Sequence, residues 1–217
     1  HALKDMPSIE TDGLITNCYL KRNFPNEVLI SKNNLTLDKL KSNSIIGTSS
    51  FRREYQLKHR RNDLIYKLIR GNVDTRINKM KEGLYDAIIL SKAGIDNLNL
   101  SKYISQEFSV DEIIPSVGQG IIAIQCRYDD EEMINYLNKI NHEQTNICAT
   151  TEREVLKILE GDCDTAIGAF SFIKGNKINL IAELFSVDGK NKYNFKAENK
   201  LHLAKELGQK VGNFLKK

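Results

Sequence analysis

The chain has 217 residues, 41% of them hydrophobic, with 32 basic and 28 acidic residues and a formal net charge of +4. That length and apolar content allow one to three buried cores, and the near balance of charge excludes a polycation that binds nucleic acid through its overall charge. No apolar run reaches membrane-spanning length and no signal-peptide pattern is present, so a soluble chain with no membrane partner is expected.

In chain order, HALKD (residues 1–5) opens the sequence with no strand or cap pattern before it. From residue 44 apolar strand patterns alternate with helix patterns: a strand at 44–48, a helix over 51–61, a strand at 64–69, a helix over 73–81, a strand at 86–90 and a helix from 92. That alternation predicts right-handed βαβ units on a parallel sheet, whose ligand sites gather at the carboxyl ends of the strands. GQGIIAIQCR (118–127) reads as a glycine turn feeding a strand, followed by helices over 130–140 and 143–159. Strands at 164–173, 179–187 and 192–198, joined at Gly175-Asn176 and Asp188-Gly189, and an amphipathic helix over 201–215 predict a separate α+β unit.

Three stretches fall on the carboxyl edge of the first sheet: Thr48 to Arg53, Arg70 to Arg76, and Ser91. Helix amino ends there favour anions, and arginines reinforce that preference, so the edge is expected to be an anion receptor. Ser49 and Ser50 are suited to capping the helix that carries Arg52 and Arg53, which stand about 100° apart, so one could face the cleft while the other flanks it. Arg70 and Arg76 bracket Gly71, which permits close approach of backbone to ligand, and guanidinium forks match carboxylates bidentately. Read without function, RREYQLKHRR is a basic solvated helix face and Arg70 with Arg76 are surface charges. Arg60 and Arg61 are expected to face solvent.

The four cysteines, Cys18, Cys126, Cys148 and Cys163, lack metal-ligand or disulfide-framework spacing. A reducing compartment is the default, and no metal is assigned. Cys163 ends LEGDC (159–163) at a helix-to-strand turn, where a side chain can reach a cleft, although a free Cys is more often a small buried hydrophobe.

HALKD, GTSSFRR (47–53), RGNVDTR (70–76), SVGQG (116–120) and LEGDC lie in an order that resembles the porphobilinogen deaminase (hydroxymethylbilane synthase) family across nearly the whole chain. The resemblance implies a three-domain α/β architecture: two periplasmic-binding-protein-like α/β lobes, the first incomplete here, and a C-terminal α+β domain with a three-stranded antiparallel sheet. Residues 1–19 and 121–140 would be the remainder of domain 1, 27–114 domain 2 and 142–217 domain 3, with a further N-terminal segment upstream of HALKD. It implies a transferase, acting as a monomer in a soluble intracellular compartment (cytoplasm or plastid), that polymerises four porphobilinogen units into hydroxymethylbilane with release of ammonia. A dipyrromethane cofactor would be attached through a thioether to Cys163, and Asp5 would be the catalytic carboxylate. Lys4, Thr48, Ser49, Ser50, Arg52, Arg53, Arg70, Arg76 and Gly120 would contact the cofactor. The chain departs from the family's usual pattern at Asp162, where a second glycine is common, at Asp164, where no acid stands, and at Asn97, where an arginine is usual. Two acids beside Cys163 would raise its pKa. The alternative from another class is a non-catalytic two-lobed solute-binding module, which needs an anion cleft but no Cys163. Nucleic-acid binding through residues 52–61 is disfavoured by the interspersed acids and the 7% aromatic content.

Overall fold

The structure, a computed structural model, describes residues 1–160 and 165–216. The chain forms two compact units, one from His1–Asn23 with Ile114–Lys217 and the other from Phe24–Ile113.

The Phe24–Ile113 unit is a five-stranded sheet. Its strands are β2 (Glu27–Ser31), β3 (Ile45–Gly47), β4 (Ile65–Lys67), β5 (Ala87–Ser91) and β6 (Gln106–Glu107), in the order β4-β3-β5-β2-β6. Strand β3 is parallel to both β4 and β5, as the βαβ pattern predicts. Strands β2 and β6 correct the expectation of a parallel sheet: β2 runs antiparallel to β5, and β6 antiparallel to β2. Alternating side chains bury both faces. Leu29, Ile46, Ala87 and Ile89 pack with Leu57 of α1 (Phe51–Lys58), and Val28, Ile30, Ile88 and Leu90 pack with Ile77 and Met80 of α2 (Val73–Lys81). Helix α3 (Lys92–Asn97) adds Ile95 to the second face. Each fully buried aliphatic side chain is worth about 1.5–3 kcal/mol, so two apolar faces make this sheet a self-sufficient core.

Helix α1 stops at Lys58, three residues short of the expected end. The strand expected over 64–69 pairs only at 65–67, where register with β3 exists.

In the other unit, β1 (Leu14–Tyr19) pairs antiparallel with β7 (Ala123–Arg127), against α4 (Glu131–Ile140) and α5 (Glu143–Ile158). Strands β8 (Ile167–Lys174), β9 (Lys177–Phe185) and β10 (Lys192–Lys200) form the expected antiparallel sheet, β10-β9-β8. Helices α5 and α6 (Ala204–Leu215) cover one face through Val155, Leu207, Val211 and Leu215.

A polar hub lies inside this unit. Glu152 on α5 is 0% exposed, yet every side of its carboxylate is occupied. Arg22 meets it with both terminal nitrogens at 2.6 and 3.2 Å, Gly118 N donates at 2.8 Å, and the amide and hydroxyl of Ser171 donate at 2.7 and 2.9 Å. Arg22 Nε also donates to the Gln119 carbonyl, and its guanidinium lies 4.8 Å from the Phe170 ring centre. A buried charge is tolerable when paired and hydrogen-bonded in this way.

Candidate functional site

Because β3, β4 and β5 run parallel, their carboxyl ends share one edge, and each is followed by a helix start: α1 capped by Ser50, α2 by Asn72, and α3 after Ser91. The Ser50 hydroxyl accepts from Arg53 N at 3.4 Å, and Asn72 Oδ1 accepts from Thr75 N at 2.9 Å. Thr48 is buried: its amide donates to the Lys67 carbonyl and its Oγ1 accepts from Ser50 N. Ser49 is exposed at this edge.

The four arginines divide into two pairs. Arg52 and Arg53 are 4% and 7% exposed and converge on one carboxylate, that of Glu27, itself 0% exposed, so they are not part of a solvated helix face. The contacts are Arg52 Nη2 to Oε1 at 2.6 Å and Arg53 Nη2 to Oε2 at 2.8 Å. Burial alone would raise the Glu27 pKa. Attraction to Arg53 and Arg52 and their hydrogen bonds outweigh it and bring the value down to about 2.

Arg70 is exposed and Arg76 partly buried, and neither guanidinium has an acidic partner among the described residues. Arg76 Nε donates to the Gly71 carbonyl at 2.7 Å, and Lys79 Nζ donates to the Arg70 carbonyl at 2.9 Å. Burial, then repulsion from Arg53 and Arg70, lowers the pKa of Arg76, so these three arginines share one positive field. Gly71 has φ 122°, and a Cβ there would come within 2.7 Å of Thr75 Cγ2. The close approach that requires glycine is thus to the chain's own helix.

Arg61 corrects the expectation that it faces solvent. It donates to the carbonyls of Leu37 at 2.6 Å and Leu40 at 2.9 Å and pairs with Asp63, fastening the 61–63 turn to the 37–40 turn. Arg60 meets half-exposed Glu112 at 3.2 Å.

In the other unit, Lys4 and Asp5 lie on a single 3-10 turn, Leu3–Asp5. The turn is fixed on both sides. Leu3 N donates to the Ile121 carbonyl, Ala2 bridges Ile122, and Arg153 Nη2 donates to the carbonyls of Pro7 and Ser8. Gly118 has φ 71°, and a Cβ there would lie 2.6 Å from Leu3 Cγ, so HALKD and SVGQG are stacked against each other. The Gly120 carbonyl accepts from Asn23 N. The Asp5 carboxylate is exposed, with no partner among the described residues, and Lys4 is partly buried. Cys163, with Asp162 and Asp164, lies outside the described residues.

Residues 1–135 match the family model described as porphobilinogen deaminase, dipyromethane cofactor binding domain, and residues 146–217 match porphobilinogen deaminase, C-terminal domain. The chain belongs to the porphobilinogen deaminase family. It is 41% identical over 216 residues to the porphobilinogen deaminase of Brevibacillus brevis, covering 99% of this chain and 69% of the relative. It is likewise 41% identical over 217 residues to a probable porphobilinogen deaminase of Nitrosopumilus maritimus, covering 100% of this chain and 69% of that one. Among solved structures, the VFT2 domain of Bordetella pertussis BvgS is similar over 58% of this chain and 54% of its own, at 15% identity and a TM-score of 0.37.

The donor set at this edge suits a ligand bearing carboxylates, and residues 1–135, which include it, match the domain described as binding the dipyromethane cofactor. Arg70 and Arg76 carry charge that no described acid neutralises, beside two capped helix starts. Sequence reasoning missed Glu27, Arg22, Glu152 and Arg153. Arg22 follows Lys21 and Glu152 and Arg153 lie in the run Glu152-Arg153-Glu154, patterns that read as solvated charge, and only the fold reveals their burial.

Proposed function

We propose that this chain carries the working residues of a transferase that joins four porphobilinogen units into hydroxymethylbilane with release of ammonia. The observation that carries this reading is a receptor edge with surplus guanidinium charge in a chain of the porphobilinogen deaminase family. Each porphobilinogen brings an acetate and a propionate, and Arg70 and Arg76, with Thr48, Ser49, Ser50, Arg52 and Arg53, form the edge suited to hold such groups. A dipyrromethane, when bound, supplies the pyrrole acceptor on which units are joined, and Cys163 is its attachment point in this reading. Lys4 and Gly120 are further cofactor contacts in this reading.

Asp5 acts on charge. Ammonia leaves the aminomethyl group of the substrate as positive charge develops on the pyrrole, and a carboxylate held in place stabilises that charge and accepts a hydrogen bond from the pyrrole N–H. The contacts that hold Ala2 and Leu3 fix the backbone of the turn that carries this carboxylate. A non-catalytic anion-binding module accounts for the arginines but gives Asp5 and Cys163 no task.

The test is an intact mass of freshly purified protein, followed by peptide mapping. An added mass equal to a dipyrromethane, on Cys163 alone, is expected. Adduct on Cys126 or Cys148, or none, would overturn the reading.

A further inference from the structure

We propose that Glu27 is a positioning residue of the receptor edge, holding Arg52 and Arg53 from the buried side so that they meet ligand carboxylates already oriented. The inference rests on the reading of that edge as the carboxylate site. Topology brings Glu27 there: it is the first residue of β2, it pairs with Ser91 at the end of β5, and the amino end of an antiparallel strand lies at the carboxyl edge of its neighbour. Successive helix residues diverge by about 100°, so Arg52 and Arg53 would ordinarily point apart. One carboxylate draws both in, one oxygen to each.

The stoichiometry separates this cluster from a purely structural pair. At the Arg22–Glu152 hub, one guanidinium meets one carboxylate, and both oxygens accept further hydrogen bonds. At Glu27, two guanidinia share one carboxylate. Oε2 is in ion-pair contact without a well-formed hydrogen bond, and Arg53 Nε is buried with no hydrogen-bond partner. Arg76 feels the charge of Arg53 and Arg70, and neither Arg70 nor Arg76 has an acidic partner among the described residues, so a ligand bearing several carboxylates would complete the cluster.

The experiment is calorimetric titration of the full chain with pyromellitate, a ring bearing four carboxylates, at fixed ionic strength. Wild type is expected to bind, and Arg76→Ala to lose most of that binding. Glu27→Gln is expected to weaken binding by about tenfold, the scale of one charge-assisted hydrogen bond, although it removes a negative charge. An effect of field alone would tighten it. In an Arg53→Ala background the further loss from Glu27→Gln should shrink to within about twofold, because the carboxylate acts through the arginine. Glu27→Asp, which keeps the charge but shortens its reach, should fall between wild type and Glu27→Gln. Binding by Glu27→Gln as tight as wild type or tighter, or an undiminished loss in the Arg53→Ala background, would overturn the positioning role while leaving the receptor reading intact. If neither Glu27 variant folds by circular dichroism, the carboxylate serves the fold alone and the proposal fails. Failure of wild type to bind pyromellitate, with Arg76→Ala indistinguishable from it, would remove both readings.

Discussion

Six arginines lie between residues 52 and 76, and burial and pairing sort them where charge cannot. Arg60 pairs with half-exposed Glu112 and is worth at most about 1 kcal/mol, so Arg60→Ala should leave both stability and anion binding near wild type. Arg61→Ala should be different: two backbone carbonyls lose their donor, a loss of about 1–3 kcal/mol seen as a lower denaturant midpoint, with affinity for anions preserved. Arg70→Ala and Arg76→Ala should do the reverse, leaving stability unchanged while stalling elongation, measured as product per cofactor-loaded enzyme. Equal effects from all four would mean that the arginines act only through net charge. Glu27 adds a pH dependence. Its pKa falls on folding from an ordinary 4.5 to about 2, so its contribution is fully present above pH 4.5 and is lost as pH drops through 2. That contribution is on the order of 3 kcal/mol, and acid titration of wild type against Glu27→Gln should show the difference between the two shrinking across this window. A constant difference from pH 7 to pH 2 would place the ion triad elsewhere.

At the scale of elements, the parts read best from sequence are those with strong local signals. The helix expected over 73–81 is α2 to the residue, because Asn72 caps its start and Glu82-Gly83 follow its end. The capped helix starts at the carboxyl edge are legible for the same reason, since a capping Ser or Asn after an apolar run is a local pattern. Strand β2 was not read: Val28, Leu29 and Ile30 form a short apolar run with no periodicity that separates strand from helix, and its antiparallel direction is set by a long-range partner, β5. Missing β2 meant missing Glu27. The stacking of HALKD on SVGQG was equally invisible, since 115 residues separate Leu3 from Gly118. That contact carries a prediction. Gly118→Ala places a methyl 2.6 Å from Leu3 Cγ on a backbone with positive φ, so it should cost about 1–3 kcal/mol in overpacking and shift the Lys4–Asp5 turn. Turnover should fall more than pyromellitate affinity does, because the turn carries the carboxylate proposed as catalytic and the edge proposed to bind carboxylates belongs to the other unit. Unchanged turnover in a folded Gly118→Ala protein would mean that the turn does not depend on this contact.

Across the whole molecule, each unit joins an apolar core of its own to a buried charged cluster, and a single substitution can show how separately the two are held. The Phe24–Ile113 unit buries Glu27 with Arg52 and Arg53 at the end of its sheet, and its counterpart buries the Arg22–Glu152 hub among its elements. Arg22 comes from the segment after β1, Glu152 from α5, Gly118 from the loop before β7 and Ser171 from β8, so four distant stretches of chain meet at one carboxylate. Replacing that ion pair by well-packed apolar groups could be neutral, but removing one partner leaves a buried, uncompensated charge. Arg22→Ala should therefore cost about 3–5 kcal/mol, a large part of a marginal stability of about 5–15 kcal/mol. The loss should be confined by unit. In peptide-resolved hydrogen exchange, amides of α5, β8 and β9 should lose protection, while those of β2, β3 and β5, whose core contains none of these residues, should keep it. Protection lost equally in both sets would mean that the two cores melt as one cooperative body, and that the hub stabilises the molecule rather than the unit that contains it.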